Sequence, residues 1–306
     1  MEGGNKMKTR LGGERSFRRF ALITLGIMTI LSLLPVILIV IASFTDENSL
    51  IANGYSYFPA KWSLDAYFYM VKQVKLITRA YGISFFVTIT GTLLSVLFTT
   101  TLAYPMSRKD FKFSKILTFL VFFTMLFNGG LVPTYINYTT VFHVKDTFFG
   151  LLVPSLMMSA FNVLLMKSYF VTGVPDEILE AAYIDGANEF QTMWKIAIPL
   201  SKPIITTVAM FSGIAYWNDW NNGYIYLTKR TDLYSIQNLL NRLMQNIQAL
   251  TQNANNMAQA GEGLSQIPSG TVRMAMAALG ILPIMIIYPF IQKNFVKGIT
   301  LGGVKG

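Results

Sequence analysis

The chain has 306 residues, of which 53% are hydrophobic and 13% are charged. Soluble domains of this size rarely combine those two fractions, so the composition excludes an ordinary soluble protein and predicts an all-α polytopic membrane protein. The absence of cysteine excludes disulfides, thiol catalysis and thiolate metal sites, and the net charge of +10 in such a protein does not indicate nucleic acid as a partner.

Charge-free runs predict six transmembrane helices, each close to or longer than the roughly 20 residues that a helix needs to cross a bilayer. The runs are 20–45, 80–107, 116–144, 147–166, 203–218 and 274–292. The fifth run is short, but Tyr216, Trp217 and Trp220 extend it as an interfacial aromatic belt. A seventh run, 243–261, contains eight Asn and Gln residues and is not predicted to enter lipid, which cannot satisfy their amides.

The distribution of basic residues predicts that both termini are cytoplasmic. The first run is interpreted as an uncleaved helix, because 44–47 lacks the small residues of a signal-peptide cleavage site. With the N-terminus inside, the tail and the segments 107–115, 167–202 and 293–306 are cytoplasmic. These four segments contain 16 of the 25 Lys and Arg residues, which is the positive-inside bias.

Prolines in several spans predict bent helices, which suit a cavity that opens alternately to each side, although ordinary membrane-helix usage explains them equally well. A sharper break is predicted at the outer end of the third span, where Asn128, Gly129 and Gly130 precede Pro133.

The loop 172–200 is acidic, whereas the other loops are mostly basic. It collects five acids within fourteen residues: Asp176, Glu177, Glu180, Asp185 and Glu189. A hairpin lying on the membrane surface would prefer Lys and Arg on its polar face. The acidic face therefore predicts a basic protein partner.

Local sequence signals predict two short helices in this loop. Pro175 suits the first helical position, and Gly186 after Asp185 suits the left-handed residue that ends a helix. A second helix is predicted from about Asn188 to Lys195, ended by Pro199. Such a tight hairpin forms a rigid element that can transmit displacement.

The loop 224–272 is the largest external segment, and the spacing of its apolar residues from Ile236 to Leu250 predicts an amphipathic helix. The chain is expected to turn back near 261–263. Two interpretations remain for the Asn/Gln-rich tract from Gln245 to Gln259: disordered filler, or a surface that meets an external partner.

The acidic loop carries a motif that resembles a known family. Glu180-Ala181-Ala182 is followed after three residues by Gly186, and after nine more by Ile196-Ala197-Ile198-Pro199. This pattern is similar to the EAA loop of bacterial ABC importer permeases, with Ile198 where Leu is usual. The resemblance implies a coupling helix that enters a groove of the ATPase. The residues that it assigns to this coupling are Glu180, Ala181, Ala182, Asp185, Gly186, Ile196 and Pro199.

Two further segments resemble the carbohydrate-uptake type 1 permeases. The C-terminal run 288–306 looks like the end of the maltose-type members, whose Gly-rich tail reaches between the two ATPase subunits. That likeness assigns tail contacts to Gly298, Thr300, Gly302, Gly303 and Lys305, and the alternative is a frayed terminus. The segment 127–135 resembles the LplC branch, which is associated with complex oligosaccharides.

A carbohydrate pathway raises the question of which residues line it. The segment Trp217, Asn218, Asp219, Trp220 combines a carboxylate and an amide for sugar hydroxyls with indoles on which sugar rings stack. Asp219 equally well marks the outer end of the fifth helix, and the sequence leaves both interpretations open.

The resemblance implies the type I ABC importer permease fold in a bacterial cell membrane. The expected organisation is a cytoplasmic tail over 1–19, a permease domain over 20–296 and a C-terminal tail over 297–306. The expected partners are a second permease subunit, a cytoplasmic ATPase dimer, an extracytoplasmic sugar-binding protein and the bilayer.

The expected function is oligosaccharide import without catalysis by this chain. It contains no G-x-x-x-x-G-K-[ST] motif, so ATP and Mg²⁺ are expected on the partner ATPase and no cofactor on this chain. The alternatives are a permease for a non-sugar solute and, from another class, a polytopic membrane enzyme.

Overall fold

The computed structural model describes residues 3–259 and 270–303. Within these ranges the chain forms helices and no strand, and the one β-type pairing is an isolated antiparallel bridge between Thr45 and Trp62. The chain divides into two compact units, one formed by Met1–Gln73 with Asn246–Ile281 and the other by Val74–Gln245 with Leu282–Gly306.

The first unit contains α1 (Gly3–Ser43), α2 (Glu47–Asn53) and α3 (Asp65–Val71), together with parts of two later helices. Asp46 caps α2 by accepting a hydrogen bond from the Ser49 backbone N–H over 3.1 Å, and it pairs with Lys61 over 3.2 Å. Glu47 accepts hydrogen bonds from the backbone N–H groups of Gly270 and Thr271 over 2.8 Å each. Carboxylates therefore fix both the start of α2 and the chain at Gly270.

The second unit contains most of the remaining helices. They are α4 (Val74–Ser107), α5 (Ser114–Leu126), α6 (Leu131–Ile136), α7 (Phe149–Leu152), α8 (Ala160–Gly173), α9 (Asp176–Ile184), α10 (Glu189–Thr192), α11 (Ile198–Leu200), α12 (Lys202–Asn218) and α13 (Asn221–Tyr226). Short π-helical turns cover Asn137–Val141 and Met193–Ala197, and a 3-10 turn covers Thr231–Leu233. The helix α14 (Ile236–Gln259) begins in this unit, and α15 (Gly270–Gly303) ends in it.

Helix α4 lies at the centre of the second unit, where it packs against α8 and α12. Two apolar clusters hold the three helices together. One surrounds Met106, Met166 and Val208, and the other surrounds Val87 and Tyr216. The Tyr216 hydroxyl also donates to the carbonyl of Leu152 over 2.8 Å, so a polar group in the core is satisfied.

Two helices of the described chain are long and apolar enough to cross a membrane, over Phe17–Ser43 and Val74–Ser107. Two bent pairs also qualify if each is one span. Ser114–Leu126 and Leu131–Val141 meet at 118°, and Glu189–Leu200 and Lys202–Asn218 meet at 82°. The break predicted near Gly130 is thus confirmed, and Gly130 itself has a positive φ of 82°.

The prediction of a continuous helix over 147–166 is wrong. The run contains α7, an irregular segment over 153–159 and only the first residues of α8. Pro154 removes a backbone donor, and Ser155 has a positive φ of 62°, which a helix cannot accommodate. The absence of charged residues therefore identified an apolar segment but did not predict its backbone conformation.

The amphipathic helix predicted in the loop 224–272 is confirmed as α14. Ile236, Leu239 and Leu240 are buried, and Met244 is exposed. The helix runs through the Asn/Gln-rich tract to Gln259, and contact of this tract with an external partner stays a prediction. The expected turn at 261–263 lies outside the described residues.

An aspartate joins the turn at 143–147 to the segment after α13. Asp146 accepts hydrogen bonds from the backbone N–H groups of Thr228 and Lys229 over 2.7 Å each, and from the Thr228 hydroxyl over 2.8 Å. Burial opposes ionisation of Asp146, but these hydrogen bonds outweigh it and lower its pKa.

Candidate functional site

The acidic loop begins with α9, whose ends follow local capping rules. Pro175 was predicted to be the first helical residue, but it has an extended conformation and α9 begins at Asp176. Asp176 and Glu177 lie in the first turn, where negative charge stabilises a helix. The Ala187 N–H donates to the Ala182 carbonyl over 2.9 Å, and the Gly186 N–H donates to Tyr183 over 3.0 Å. This is a Schellman motif, and Gly186 supplies its left-handed residue with a φ of 82°.

The second helix of the loop begins with a capping box. The Asn188 side chain accepts from the Gln191 N–H over 2.8 Å, and the Gln191 side chain accepts from the Asn188 N–H over 3.1 Å. The helix then continues through a π-helical turn into α11. Pro199 does not end the helical segment as predicted: it lies in the first turn of α11, directly after the π-helical turn, and the chain bends instead at Ser201.

One face of α9 packs on the core of its own unit. Leu179 and Ala182 are buried there, which explains why a small residue occupies position 182. Glu180, Ala181 and Asp185 are exposed on the other side of the helix. Ile196 is half-buried in the π-helical turn, and Pro199 is exposed.

The loop also exposes two large apolar side chains that the motif does not include and that were not identified from the sequence. Ile184 is 87% exposed at the end of α9, and Phe190 is 68% exposed in α10. Their signal in the sequence was a large apolar residue next to acidic positions, Asp185 and Glu189. Large apolar side chains surrounded by polar residues mark protein interaction surfaces.

Three contacts fasten the loop to the end of α4 and to the two residues that follow it. Lys109 pairs with Asp176 over 2.7 Å, Tyr104 donates to Glu189 over 3.2 Å, and the Arg108 guanidinium lies 5.6 Å from the centre of the Tyr183 ring. The hydrogen bond between Lys109 and Asp176 lowers the pKa of Asp176 and raises the pKa of Lys109.

The remaining acids of the loop are exposed. Within residues 3–259 and 270–303, no ion pair forms with Glu177, Glu180 or Asp185. These three carboxylates and the exposed Ile184 and Phe190 define what we call the docking surface. It combines negative charge with apolar anchors.

The segment 217–220 has structural contacts of its own. Trp217 is buried against Phe85, with ring centres 5.1 Å apart, whereas Asn218 and Trp220 are exposed. Asp219 follows the last residue of α12 and accepts from the backbone N–H groups of Asn221 and Asn222. Asp219 therefore lies at the end of α12, which is the fifth predicted span, and its role in a sugar pathway stays a prediction.

The C-terminal residues continue the last helix. The span was predicted to end near Gln292, but α15 runs to Gly303 and so contains Gly298, Thr300, Gly302 and Gly303. Lys305 lies outside the described residues. The proposed contact of this tail with an ATPase therefore stays a prediction.

Comparisons with known proteins agree on one family. A family described as "Binding-protein-dependent transport system inner membrane component" matches residues 83–301. Protein LplC of Bacillus subtilis (strain 168) is 34% identical over 282 residues, which cover 92% of each chain. The polygalacturonan/rhamnogalacturonan transport system permease protein YtcP of the same organism is 34% identical over 292 residues, covering 94% of this chain and 99% of that one.

A solved structure shares the fold. It is the crystal structure of a bacterial ABC transporter involved in the import of the acidic polysaccharide alginate, and one chain matches with a TM-score of 0.75 and 28% identity. The match covers 92% of this chain and 98% of that chain. The chain therefore belongs to the family of binding-protein-dependent transport system inner membrane components and is an ABC importer permease.

Proposed function

We propose that this chain is one of two transmembrane subunits of an ATP-driven importer for an oligosaccharide. Similarity to a permease named for polygalacturonan and rhamnogalacturonan transport and to an alginate importer supports a carbohydrate substrate. In this proposal an extracytoplasmic binding protein delivers the sugar and a cytoplasmic ATPase dimer drives alternating access.

The proposed topology has six spans with both termini in the cytoplasm of a bacterial cell. The tail 1–19 and the tail 297–306 flank the permease domain 20–296. The two long helices and the two bent pairs supply four of the spans, and the irregular fourth run and α15 supply the others. The positive-inside distribution of Lys and Arg supports this orientation.

The docking surface carries the proposal of coupling. Its unpaired carboxylates suit a basic groove on the ATPase, and Ile184 and Phe190 suit apolar pockets within that groove. Because three contacts fasten the loop to the end of α4, a displacement of the loop is passed to that helix. This chain binds no ATP and breaks no bond. Its role is to convert ATPase closure into helix movement.

The helix α14 is proposed to present an external surface to the binding protein. Its first turns are anchored, because Asn238 donates to the Trp220 carbonyl over 3.0 Å and Arg242 donates to the Leu227 carbonyl over 3.0 Å. Arg242 also lies 4.4 Å from the centre of the Tyr234 ring. An anchored start suits a helix whose far end meets a partner transiently.

The proposed assembly can be tested on the protein in its own membrane. The test is affinity purification of the tagged chain from native membranes. We expect an ATPase and a second permease to copurify, and the ATPase alone to be lost from the Glu180→Lys variant. A chain that purifies without any ATPase would contradict the proposed coupling.

A further inference from the structure

The irregular segment 153–159 poses a problem for a chain that crosses a membrane. It lies between α7 and α8, inside the run that has the composition of a span. Lipid offers no hydrogen-bond partner, so non-helical backbone at membrane depth occurs only where it is covered by protein or lines a water-filled cavity. The side of this segment that is open in the single chain therefore does not face lipid.

A cavity of about 340 Å³ opens at this segment, between the start of α8 and the middle of α12. This volume lies within the range of small-molecule sites, roughly 300–1,000 Å³. The polar residues of its wall are Ser155, Ser159, Asn162 and Ser212. Phe161 and Phe211 also line it, and their ring centres are 6.4 Å apart.

The base of the cavity is held in place by buried polar side chains. The hydroxyl oxygens of Ser95 and Ser212 are 2.9 Å apart, and the Asn162 amide donates to Ser212 over 3.5 Å. Asn162 is 6% exposed and Ser212 is 4% exposed. Burying a polar group is costly unless it is hydrogen-bonded, and the bonds made here orient the Asn162 amide at the cavity.

The rim of the cavity carries two unused hydroxyls. Neither Ser155 nor Ser159 forms a side-chain hydrogen bond within the described part of the chain. None of the eight residues that line the cavity is charged. The wall thus offers hydroxyl and amide groups to an uncharged polar ligand and aromatic rings to its apolar side.

We propose that this cavity binds one sugar unit of the transported oligosaccharide. Sugar hydroxyls exchange hydrogen bonds with Ser155, Ser159 and Asn162, and the C–H face of the ring packs on Phe161 or Phe211. The inference rests on the proposed function and identifies residues of this chain that touch the substrate during translocation. It moves the contact with sugar away from the segment 217–220, where Trp217 is part of the core.

The cysteine-free chain permits a direct test in reconstituted vesicles that contain the complete transporter. Wild-type uptake is measured first with raffinose, maltotetraose, arabinotriose and trigalacturonate. Single variants Ser155→Cys and Ser159→Cys, each assembled with the other subunits in the vesicle membrane, are then treated with a water-soluble thiol reagent. Thr231→Cys, an exposed position outside the cavity, serves as the matched control.

We expect both cavity cysteines to react, and saturating amounts of the best transported sugar to slow their labelling about tenfold without affecting Thr231→Cys. In addition, Ser159→Ala should raise the KM for uptake several-fold, since one hydrogen bond to the sugar is lost. Cavity cysteines that never react would show that the second permease covers the site, and labelling unaffected by sugar would also overturn the proposal. If the wild type imports no sugar of the panel, the proposed function fails instead.

Discussion

The Tyr104 hydroxyl, near the end of α4, donates a hydrogen bond to the Glu189 carboxylate of α10 over 3.2 Å. The same end of α4 is followed by Lys109, which pairs with Asp176 at the start of α9. The helix α10 is therefore tied to α4 itself, and α9 is tied to a residue two positions beyond the end of α4. A force applied to the loop by a partner acts on α4 through these contacts.

Tyr104→Phe is expected to lower the number of sugar molecules imported per ATP hydrolysed by several-fold. The variant removes a charge-assisted hydrogen bond, worth about 1.5–3 kcal/mol, while it keeps the ring that packs on Phe170. The measurement is the ratio of uptake to ATP hydrolysis in reconstituted vesicles. Tyr169→Phe, in the same apolar cluster, is the control. An unchanged ratio in Tyr104→Phe would show that this contact does not transmit force.

Glu180→Lys is expected to abolish uptake while the protein remains in the membrane. Glu180 is exposed and forms no ion pair in the described chain, so we expect the reversed charge to spare folding but to repel a basic groove. The measurement is ATP-driven uptake together with the amount of protein in the membrane fraction. Asp65→Lys reverses an exposed charge in α3 as a control. Normal uptake by the Glu180→Lys variant would contradict the assignment of the docking surface.

Gly186→Val is expected to impair coupling, whereas Gly186→Asn retains most of it. A Cβ at position 186 meets no atom within 4 Å, so any defect arises from the backbone, whose φ of 82° disfavours a β-branched residue. The strain is roughly 1–3 kcal/mol, and Asn tolerates this conformation better. Uptake and ATPase copurification are compared for both variants. Equal behaviour of Val and Asn would refute the role of the left-handed turn.

The bounds of α9 and its end at Gly186 were predictable, because capping and turn chemistry depend on residues within the same short segment. The irregular segment 153–159 was not predicted, because hydropathy carries no information about backbone conformation. The position of Trp217 in the core was not predictable either. It depends on contact with Phe85, which lies in a different helix. The continuous helix α14 shows another limit of sequence-based prediction. Its Asn and Gln residues argue against a transmembrane helix, but they are compatible with a helix outside the lipid.

Asp146→Asn is expected to lower the thermal midpoint of the purified complex by about 2 °C or less, because 1 kcal/mol shifts the midpoint by roughly 2–4 °C in soluble domains of 150–250 residues and by less in a larger assembly. Hydrogen bonds from Thr228 and Lys229 stabilise the carboxylate and lower its pKa in the folded state. The stabilisation is therefore complete above the unfolded pKa of about 3.9 and is lost only as the pH falls through the lower folded value. Unfolding curves at pH 8 and pH 5 should show the same difference between wild type and variant. A difference that disappears at pH 5 would contradict this assignment.

The most direct test of the account is uptake of labelled oligosaccharides into vesicles that contain this chain, its partner permease and the ATPase, with the binding protein outside. We expect accumulation of at least one sugar that requires ATP inside and the binding protein outside, and that is lost with Glu180→Lys. Sugar uptake that persists without ATP, or the absence of uptake for every oligosaccharide while the assembled ATPase is active, would contradict it.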